Sequence, residues 1–329
     1  MLVGMIADIS KVRVGDKVIF YLQATPNNQG MFYGVFKVVS NSFFDENDAS
    51  NFLIGQLGKG LSFKVLIEPD EVYAKGITEH EYLDSLQGKN HPADLCWSLI
   101  YRKLKGNRGC TTIMDYEYED LLLKLKHKNN NVTVNSHNYS FDTVNRQIVA
   151  SATTNQYTGR QNSLNILPRL LYKASRQNSF ETHLQAYITQ NYDNQPLSSL
   201  LIPQQGLNCW IGNEVACGVG MQRIDLMLKQ ETDTDVFIRL MELKDESPYQ
   251  NIVIQIKWYL EWISDYVIPK YQGKNIHIIP TIIAKGNLSN NLQNTYQSFN
   301  FTIPNAVVQP IEYIGFTTNA NNIDFTRYL

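Results

Sequence analysis

The sequence predicts a two-domain α/β (α+β) protein, in which a small β-rich domain precedes a domain of alternating strands and helices. Its 329 residues exceed the usual size of one domain. The first part is rich in short runs of β-branched and aromatic residues, whereas the second part combines long apolar strand patterns with amphipathic helices. The predicted boundaries are 1–128 for the first domain, 129–163 for a polar linker and 164–329 for the second domain.

The first domain is predicted to be a small, strongly curved sheet or barrel. Its strand patterns lie at 18–22, 31–39 and 61–67, separated by turn-forming residues. Two helical stretches interrupt these strands, near 79–86 and 116–126.

In the second domain, an acidic residue stands in each of two neighbouring strand patterns. Asp225 lies in the run MQRIDLML and Glu242 in VFIRLMELK, and the polar stretch KQETDTD between them suits a hairpin connection. Adjacent strands lie about 4.8 Å apart, so the two carboxylates can share a divalent cation. Lys244 follows Glu242 by two residues and points to the same face of its strand. Two carboxylates, a metal ion and a cation are the groups that phosphodiester hydrolysis needs.

A helix is predicted directly after this second strand. Ser247 and Pro248 suit the N-cap and the first turn, and apolar residues recur at helical spacing over 251–268. On this helix Gln255 and Tyr259 are four residues apart and therefore share one face. The sequence thus places two polar groups beside the predicted carboxylate pair.

A second helix is predicted upstream, over 179–191, with Ser179 as its N-cap. Glu181 lies in its first turn. An acidic residue there interacts favourably with the helix dipole, so Glu181 has a structural explanation as well as a functional one.

The order of these motifs resembles the PD-(D/E)XK nuclease superfamily, and most closely its RecB-like and NucS-like branch. The resemblance covers about 164–285, and the proline that names the superfamily is replaced by Ile224, as is common in that branch. The residues that carry the resemblance are Glu181, Asp225, Glu242, Lys244, Gln255 and Tyr259.

The resemblance implies a role for each of these residues. Asp225 and Glu242 would bind Mg²⁺, with Mn²⁺ as an alternative, and Glu181 would complete the metal shell. Lys244 would position or activate the attacking water. The glutamine–tyrosine pair would orient the site or touch the DNA backbone.

The first domain resembles the EVE/PUA-like fold, which is related to the YTH readers of modified bases. The matching segments are VGDKVIFY (14–21), GMFYGVFKVVSNSFFD (30–45) and RGCTTIMDYEYEDLL (108–122). Members of this family hold a flipped, often methylated base in an aromatic pocket. Extruding a base costs a few kcal/mol, which stacking at about 1–3 kcal/mol per base offsets.

Aromatic and basic residues of the first domain are the predicted nucleic-acid contacts. The candidate pocket walls are Phe32, Tyr33, Phe43, Phe44 and Trp97. Trp97 is favoured because it stands beside a basic run that can neutralise several phosphates. That run contains Arg102, Lys103, Lys105 and Arg108.

Composition excludes some other classes of protein. A net charge of −2 argues against sequence-blind binding of nucleic acid through bulk charge. The four cysteines have no C-x-x-C spacing and suit a reducing cytosol. No long apolar run and no signal-peptide pattern is present, which predicts a cytoplasmic protein with no membrane partner.

The sequence therefore predicts a Mg²⁺-dependent DNA endonuclease of restriction type. The first domain would select a base, and the second would hydrolyse the phosphodiester and leave a 5′-phosphate. Cleavage of both strands needs two active sites, which favours a homodimer. The alternatives are a repair endonuclease for mismatched or branched DNA, a non-catalytic reader of modified nucleic acid, and RNA as the substrate.

Overall fold

The computed structural model describes residues 2–45, 62–84, 89–100, 110–153, 157, 159–217 and 222–329, which form a mixed α+β structure. The chain divides into two units, and both are discontinuous in sequence. The large unit comprises Met1–Lys11, Pro92–Thr112 and Asn165–Leu329, and the small unit comprises Val12–His91 and Ile113–Leu164. The division therefore differs from the predicted boundaries, because part of 1–128 belongs to the large unit and 129–163 belongs to the small one.

The helices and strands are numbered along the chain. The helices are α1 (Leu2–Ser10), α2 (Asp115–Lys128), α3 (Leu167–Ser175), α4 (Glu181–Asn191), α5 (Leu197–Leu201), α6 (Ile252–Trp262) and α7 (Asn290–Gln297). The strands of the small unit are β1 (Lys17–Leu22), β2 (Met31–Val38), β3 (Phe43–Phe44), β4 (Phe63–Lys64), β5 (Ile67–Pro69), β6 (Ile77–Thr78), β7 (Tyr139–Asp142), β8 (Gln147–Ala150) and β9 (Asn162–Ser163). Those of the large unit are β10 (Trp210–Ala216), β11 (Arg223–Glu231), β12 (Asp235–Leu243), β13 (Asn275–Lys285), β14 (Ala306–Val308), β15 (Glu312–Thr318) and β16 (Ile323–Arg327). Within the described ranges, no helix is long and apolar enough to cross a membrane.

The small unit contains two small sheets and a hairpin. β2 pairs with β1, β5 and β6, β3 pairs with β4 and β9, and β7 pairs with β8. These strands do not close into a barrel within the ranges that the structure describes. The predicted strands at 18–22 and 31–39 and the predicted helix at 116–126 are confirmed by β1, β2 and α2.

The large unit is built on one seven-stranded mixed sheet, in the order β10-β11-β12-β13-β15-β16, with β14 also paired to β13. β12, β13 and β15 are parallel. β11 runs antiparallel to both of its neighbours, β10 and β12. One face of the sheet packs against α3, α4 and α5 through a buried apolar core. Met241 and Leu243 belong to that core, so Glu242 between them points to the other face.

The β11–β12 hairpin is longer than the sequence predicts, because polar residues continue the ladder. Lys229 and Gln230 are buried in β11. The Gln230 carboxamide donates to the carbonyls of Gln204 and Leu207, and its oxygen accepts from the Gln204 N–H. Because these groups are satisfied, the two strands stay paired until a short connection at 232–234.

The start of α6 also differs from the prediction. The helix begins at Ile252 with Asn251 at its N-cap, and neither Ser247 nor Pro248 lies in its first turn. At its other end a π-helical turn, Ile263–Val267, prolongs the helix. The predicted pair Gln255 and Tyr259 nevertheless lies on α6.

Candidate active site

The β11–β12 register places Asp225 and Glu242 opposite each other. The last recorded pair of the ladder is Leu226 with Met241, and the next position along both strands brings the two acidic residues together. Directly opposed residues of an antiparallel pair share one face of the sheet, with Cβ atoms about 5 Å apart. The two carboxylates predicted from sequence are therefore neighbours in the fold.

Glu242 is the most completely engaged residue of the site. Its side chain is only 2% exposed. The Tyr259 hydroxyl donates to Oε2 at 2.5 Å, and the Lys244 ammonium donates to Oε1 at 2.6 Å. Both carboxylate oxygens thus accept a hydrogen bond, as a buried charge requires.

Lys244 lies within a cluster of oxygen atoms. Its Nζ also donates to the Leu243 carbonyl at 2.9 Å and lies 3.5 Å from Oε2 of Glu181. Burial alone would lower the pKa of Lys244, but the charge of Glu242 and its hydrogen bond, followed by Glu181 and Asp225, raise that pKa well above its ordinary value. Lys244 is consequently a cation at neutral pH.

Asp225 is held by backbone contacts on both sides. Its Oδ2 accepts the Leu243 N–H at 2.8 Å, and its own carbonyl accepts from Nε2 of Gln185 at 2.9 Å. Burial, followed by the charge of Glu242, raises the pKa of Asp225 to about 8. Two buried carboxylates side by side therefore favour either a proton or an added cation between them.

Glu181 reaches the site because a distant residue fixes the start of α4. Oδ2 of Asp245 accepts the backbone N–H groups of Phe180 and Glu181, the latter at 3.1 Å. The N-cap position is Phe180, which makes no side-chain cap, so the predicted N-cap at Ser179 is wrong. Burial raises the pKa of Glu181, with Glu242 and Asp245 adding to the rise and Lys244 opposing it.

Asp245 and Gln185 are site-supporting residues that the sequence reasoning missed. Asp245 directly follows the Glu-x-Lys motif, and an acidic residue at that position could have been identified from the sequence. Gln185 is four residues after Glu181 and lies on the same face of α4, so helical spacing could have identified it.

Replacing Asp245 by alanine should destabilise the protein by about 1–2 kcal/mol, because two N–H groups of α4 lose their acceptor. Asp245→Asn keeps one side-chain oxygen and should lose less. The free energies of unfolding in urea test this. Equal stability of the alanine variant and the unaltered protein would show that Asp245 does not hold α4.

Asp225 gives the metal-free protein a distinct dependence of stability on pH. Its carboxyl remains protonated in the folded state up to about pH 8 but ionises near 3.8 when unfolded. Its contribution to the free energy of unfolding is therefore greatest below pH 4 and is lost as the pH rises to about 8.

Asp225→Asn should remove that loss, so in EDTA at pH 8 the variant should be more stable than the unaltered protein by a few kcal/mol. The asparagine oxygen can still accept the Leu243 N–H. Urea titrations from pH 4 to 8 measure the difference. Parallel profiles for the two proteins would contradict the assigned pKa shift.

Gln255 and Tyr259 differ in the hydrogen bonds of their side chains. The Tyr259 hydroxyl contacts Glu242 and lies 2.9 Å from the Arg223 carbonyl. Gln255 is half-buried, and no hydrogen bond to its side-chain amide is found in the described part of the chain. Its amide therefore remains available to a bound molecule.

The donor set suits a hard divalent cation. Asp225, Glu242 and the Leu243 carbonyl provide oxygen atoms, which Mg²⁺ prefers, and Glu181 provides a further carboxylate that is 41% exposed. The described residues contain no group of three His, Cys, Asp or Glu arranged as a metal centre. Mg²⁺ is commonly bound by one or two carboxylates and several waters, so the pair is sufficient for it.

Trp97 lies in the large unit, among aromatic side chains. Its ring makes edge contacts with Trp262 and Tyr266, each with centroids 5.2 Å apart, and its Nε1 donates to the Pro92 carbonyl. The other candidate walls belong to the small unit. The structure thus does not bring Trp97 together with them inside one unit.

The aromatic candidates of the small unit are mainly packing residues in this structure. Tyr33 is 3% exposed, and its hydroxyl donates to the Arg146 carbonyl. Phe44 packs on Phe63 with centroids 5.6 Å apart. Phe32 and Phe43 are buried as well. The basic residues Arg102, Lys103, Lys105 and Arg108 lie outside the described residues.

Comparisons with known proteins identify no relative of this chain. No protein-family model, no curated protein and no solved structure matches the chain. The function is therefore argued from the site itself.

Proposed function

We propose that this chain is a Mg²⁺-dependent DNA endonuclease whose active site lies at the ends of β11 and β12. The observation that carries the proposal is the juxtaposition of Asp225 and Glu242 with Lys244 bonded to Glu242. Burying two carboxylates beside a cation costs free energy. Ionisable groups in such environments are found preferentially at functional sites.

Each side chain has a task that its environment supports. The Lys244 ammonium stabilises negative charge that develops on the phosphate, since its raised pKa keeps it protonated. Glu181 is the exposed carboxylate of the site, and its raised pKa strengthens it as an acceptor for a proton from water. Tyr259 holds Glu242 in position through its hydroxyl.

Asp225 and Glu242 would hold Mg²⁺, with Glu181 available to complete its shell, and Mn²⁺ is an alternative ion. When bound, the ion supplies charge neutralisation at the phosphate and a more acidic water. Binding would also relieve the repulsion between the two buried carboxylates, which favours their ionised forms.

The proposal extends to an enzyme of restriction type, in which the small unit selects a base, for example a methylated one. The support for this part is the sequence resemblance of 14–21, 30–45 and 108–122 to base-reading domains. Hydrolysis of both strands of a duplex would need two copies of the site, and hence a homodimer.

The test is cleavage of methylated and unmethylated plasmid DNA, with Mg²⁺ or with EDTA, by the unaltered protein and by Asp225→Ala. The expected result is cutting that requires both Mg²⁺ and Asp225. Cutting of methylated DNA alone would assign modified-base selection. Absence of cutting on either plasmid would contradict the restriction activity, and mismatched DNA, branched DNA and RNA would then be tested as substrates.

A further inference from the structure

Helix α3 presents a row of cations on the surface of the large unit. Its buried side contributes Leu170 and Ala174 to the core. Arg169, Lys173 and Arg176 recur at three and four residues and therefore share one side of the helix. At 1.5 Å per residue, they extend over about 10 Å along the helix.

Among the described residues, no Asp or Glu lies within ion-pair distance of Arg169, Lys173 or Arg176. The sequence shows why, since 143–180 contains arginines and a lysine but no Asp or Glu. In a chain of net charge −2, this is a local concentration of uncompensated positive charge.

An exposed tyrosine stands between two of the cations. The guanidinium of Arg169 lies 5.1 Å from the centroid of the Tyr172 ring, and that of Arg176 lies 4.6 Å from it. Tyr172 is 44% exposed. The ring therefore holds both guanidinium groups at the surface, and its own exposed edge can contact a base.

Helix stability does not explain this arrangement. A cation near a helix C-terminus interacts favourably with the helix dipole, which accounts for Lys173. Arg169 instead lies in the first turn, where a positive charge is unfavourable and no acidic residue compensates it.

The row of cations lies close to the candidate active site. A turn closed by the bonds from Gln177 N–H to the Ala174 carbonyl and from Asn178 N–H to the Lys173 carbonyl joins α3 to α4. Glu181 is five positions after Arg176, so their Cα atoms are within about 18 Å. Burial and then the charges of Lys173 and Arg169 lower the pKa of His183 on α4.

We propose that the α3 surface formed by Arg169, Tyr172, Lys173 and Arg176 is a docking surface for the DNA backbone. The commitment to DNA rests on the proposed function, because the surface adjoins a site suited to phosphodiester hydrolysis. The three cations bind neighbouring phosphates, and Tyr172 keeps the two arginines in place. None of these residues takes part in the chemical step.

The test is the affinity of the full chain for a labelled DNA duplex in EDTA, where Mg²⁺-dependent cleavage cannot occur. The variant is Arg169→Gln, Lys173→Gln, Arg176→Gln. Loss of three phosphate contacts should weaken binding at least ~10-fold at 0.1 M salt and reduce the salt slope by about 2.7. Arg176→Glu, a single change at an exposed position, should also weaken binding.

The matched control is Lys124→Gln, Lys126→Gln, Lys128→Gln on α2, which removes the same charge. Each of those lysines has a carboxylate partner, namely Asp120, Glu71 and Glu81. The control should bind DNA as the unaltered protein does. An equal loss in the control, or unchanged affinity and slope in both α3 variants, would overturn the proposal.

RNA of the same length and vesicles containing an anionic lipid complete the experiment. Preferential binding of either one through the α3 cations would overturn the commitment to DNA. The two proposals fail separately. If the protein cuts DNA but the α3 variants bind it normally, the docking surface is wrong and the nuclease stands. If no DNA is cut but the variants lose DNA binding, the docking surface stands.

Discussion

Glu242→Gln should reduce DNA cleavage at least ~1,000-fold while DNA binding is retained. The substitution keeps the shape of the side chain but removes the charge that pairs with Lys244 and that a divalent ion requires. Loss of metal-based charge stabilisation is worth several kcal/mol in the transition state, and each 1.36 kcal/mol is tenfold in rate. Single-turnover cleavage of a plasmid at saturating Mg²⁺ measures the effect.

Glu246→Gln is the matched control for this prediction. Glu246 is exposed and lies four residues further along the same segment. It carries the same charge, so an effect of net charge on DNA binding appears equally in both variants. Cleavage by Glu242→Gln at the rate of the control would remove Glu242 from the mechanism.

The central pair of the site could be predicted from sequence because it depends on local rules. Two apolar runs joined by a short polar stretch predict a hairpin, and the two-residue period fixes which side chains share a face. Once the strands pair, Asp225 and Glu242 come together and Lys244 follows on the same side. The helix predicted directly after the second strand also brings Tyr259 to Glu242.

The start of α4 could not be predicted in the same way, because the group that fixes it is remote in sequence. Ser179 has the side chain of an N-cap, yet Asp245, 65 residues from Phe180, accepts the N–H groups instead. A local cap contributes only about 1 kcal/mol. A carboxylate that packing brings to the same place can therefore replace it.

The unit to which Trp97 belongs could not be predicted from the order of residues along the chain either. Composition divides a sequence into consecutive segments, whereas the large unit combines three separate ones. Trp97 joins it by packing on Trp262 and Tyr266, more than 160 residues away. An aromatic residue beside a basic run predicts a nucleic-acid contact equally well in either unit, so this pattern cannot assign Trp97 to one of them.

Lys244→Met should make the stability of the protein depend on divalent metal. In EDTA, removal of the ammonium leaves the Glu242 carboxylate buried with only the Tyr259 hydrogen bond. Breaking a buried ion pair by removing one partner costs about 3–5 kcal/mol. The unaltered protein should therefore be much more stable than the variant without metal.

Mg²⁺ should restore much of that stability to Lys244→Met and should raise its melting temperature by more than that of the unaltered protein. The reason is that the Lys244 ammonium contacts Glu242 Oε1 and the Leu243 carbonyl, oxygens that a divalent ion would also use. Ligand binding to the folded state stabilises it by RT ln(1 + [L]/Kd), so thermal unfolding across a Mg²⁺ titration reports the affinity. Lys285→Met, at an exposed lysine on the neighbouring strand, is the control.

Cleavage by Lys244→Met should fall about 100- to 10,000-fold even when Mg²⁺ is saturating, since the cation that stabilises the phosphate is gone. Tighter metal binding together with slower cleavage distinguishes a catalytic lysine from one that only neutralises Glu242. A lysine of the second kind would give the stability effect with the cleavage rate preserved. Equal Mg²⁺ stabilisation of Lys244→Met and the unaltered protein would show that the metal does not share oxygens with Lys244, and the ion would then have to bind on the Asp225 side of the pair.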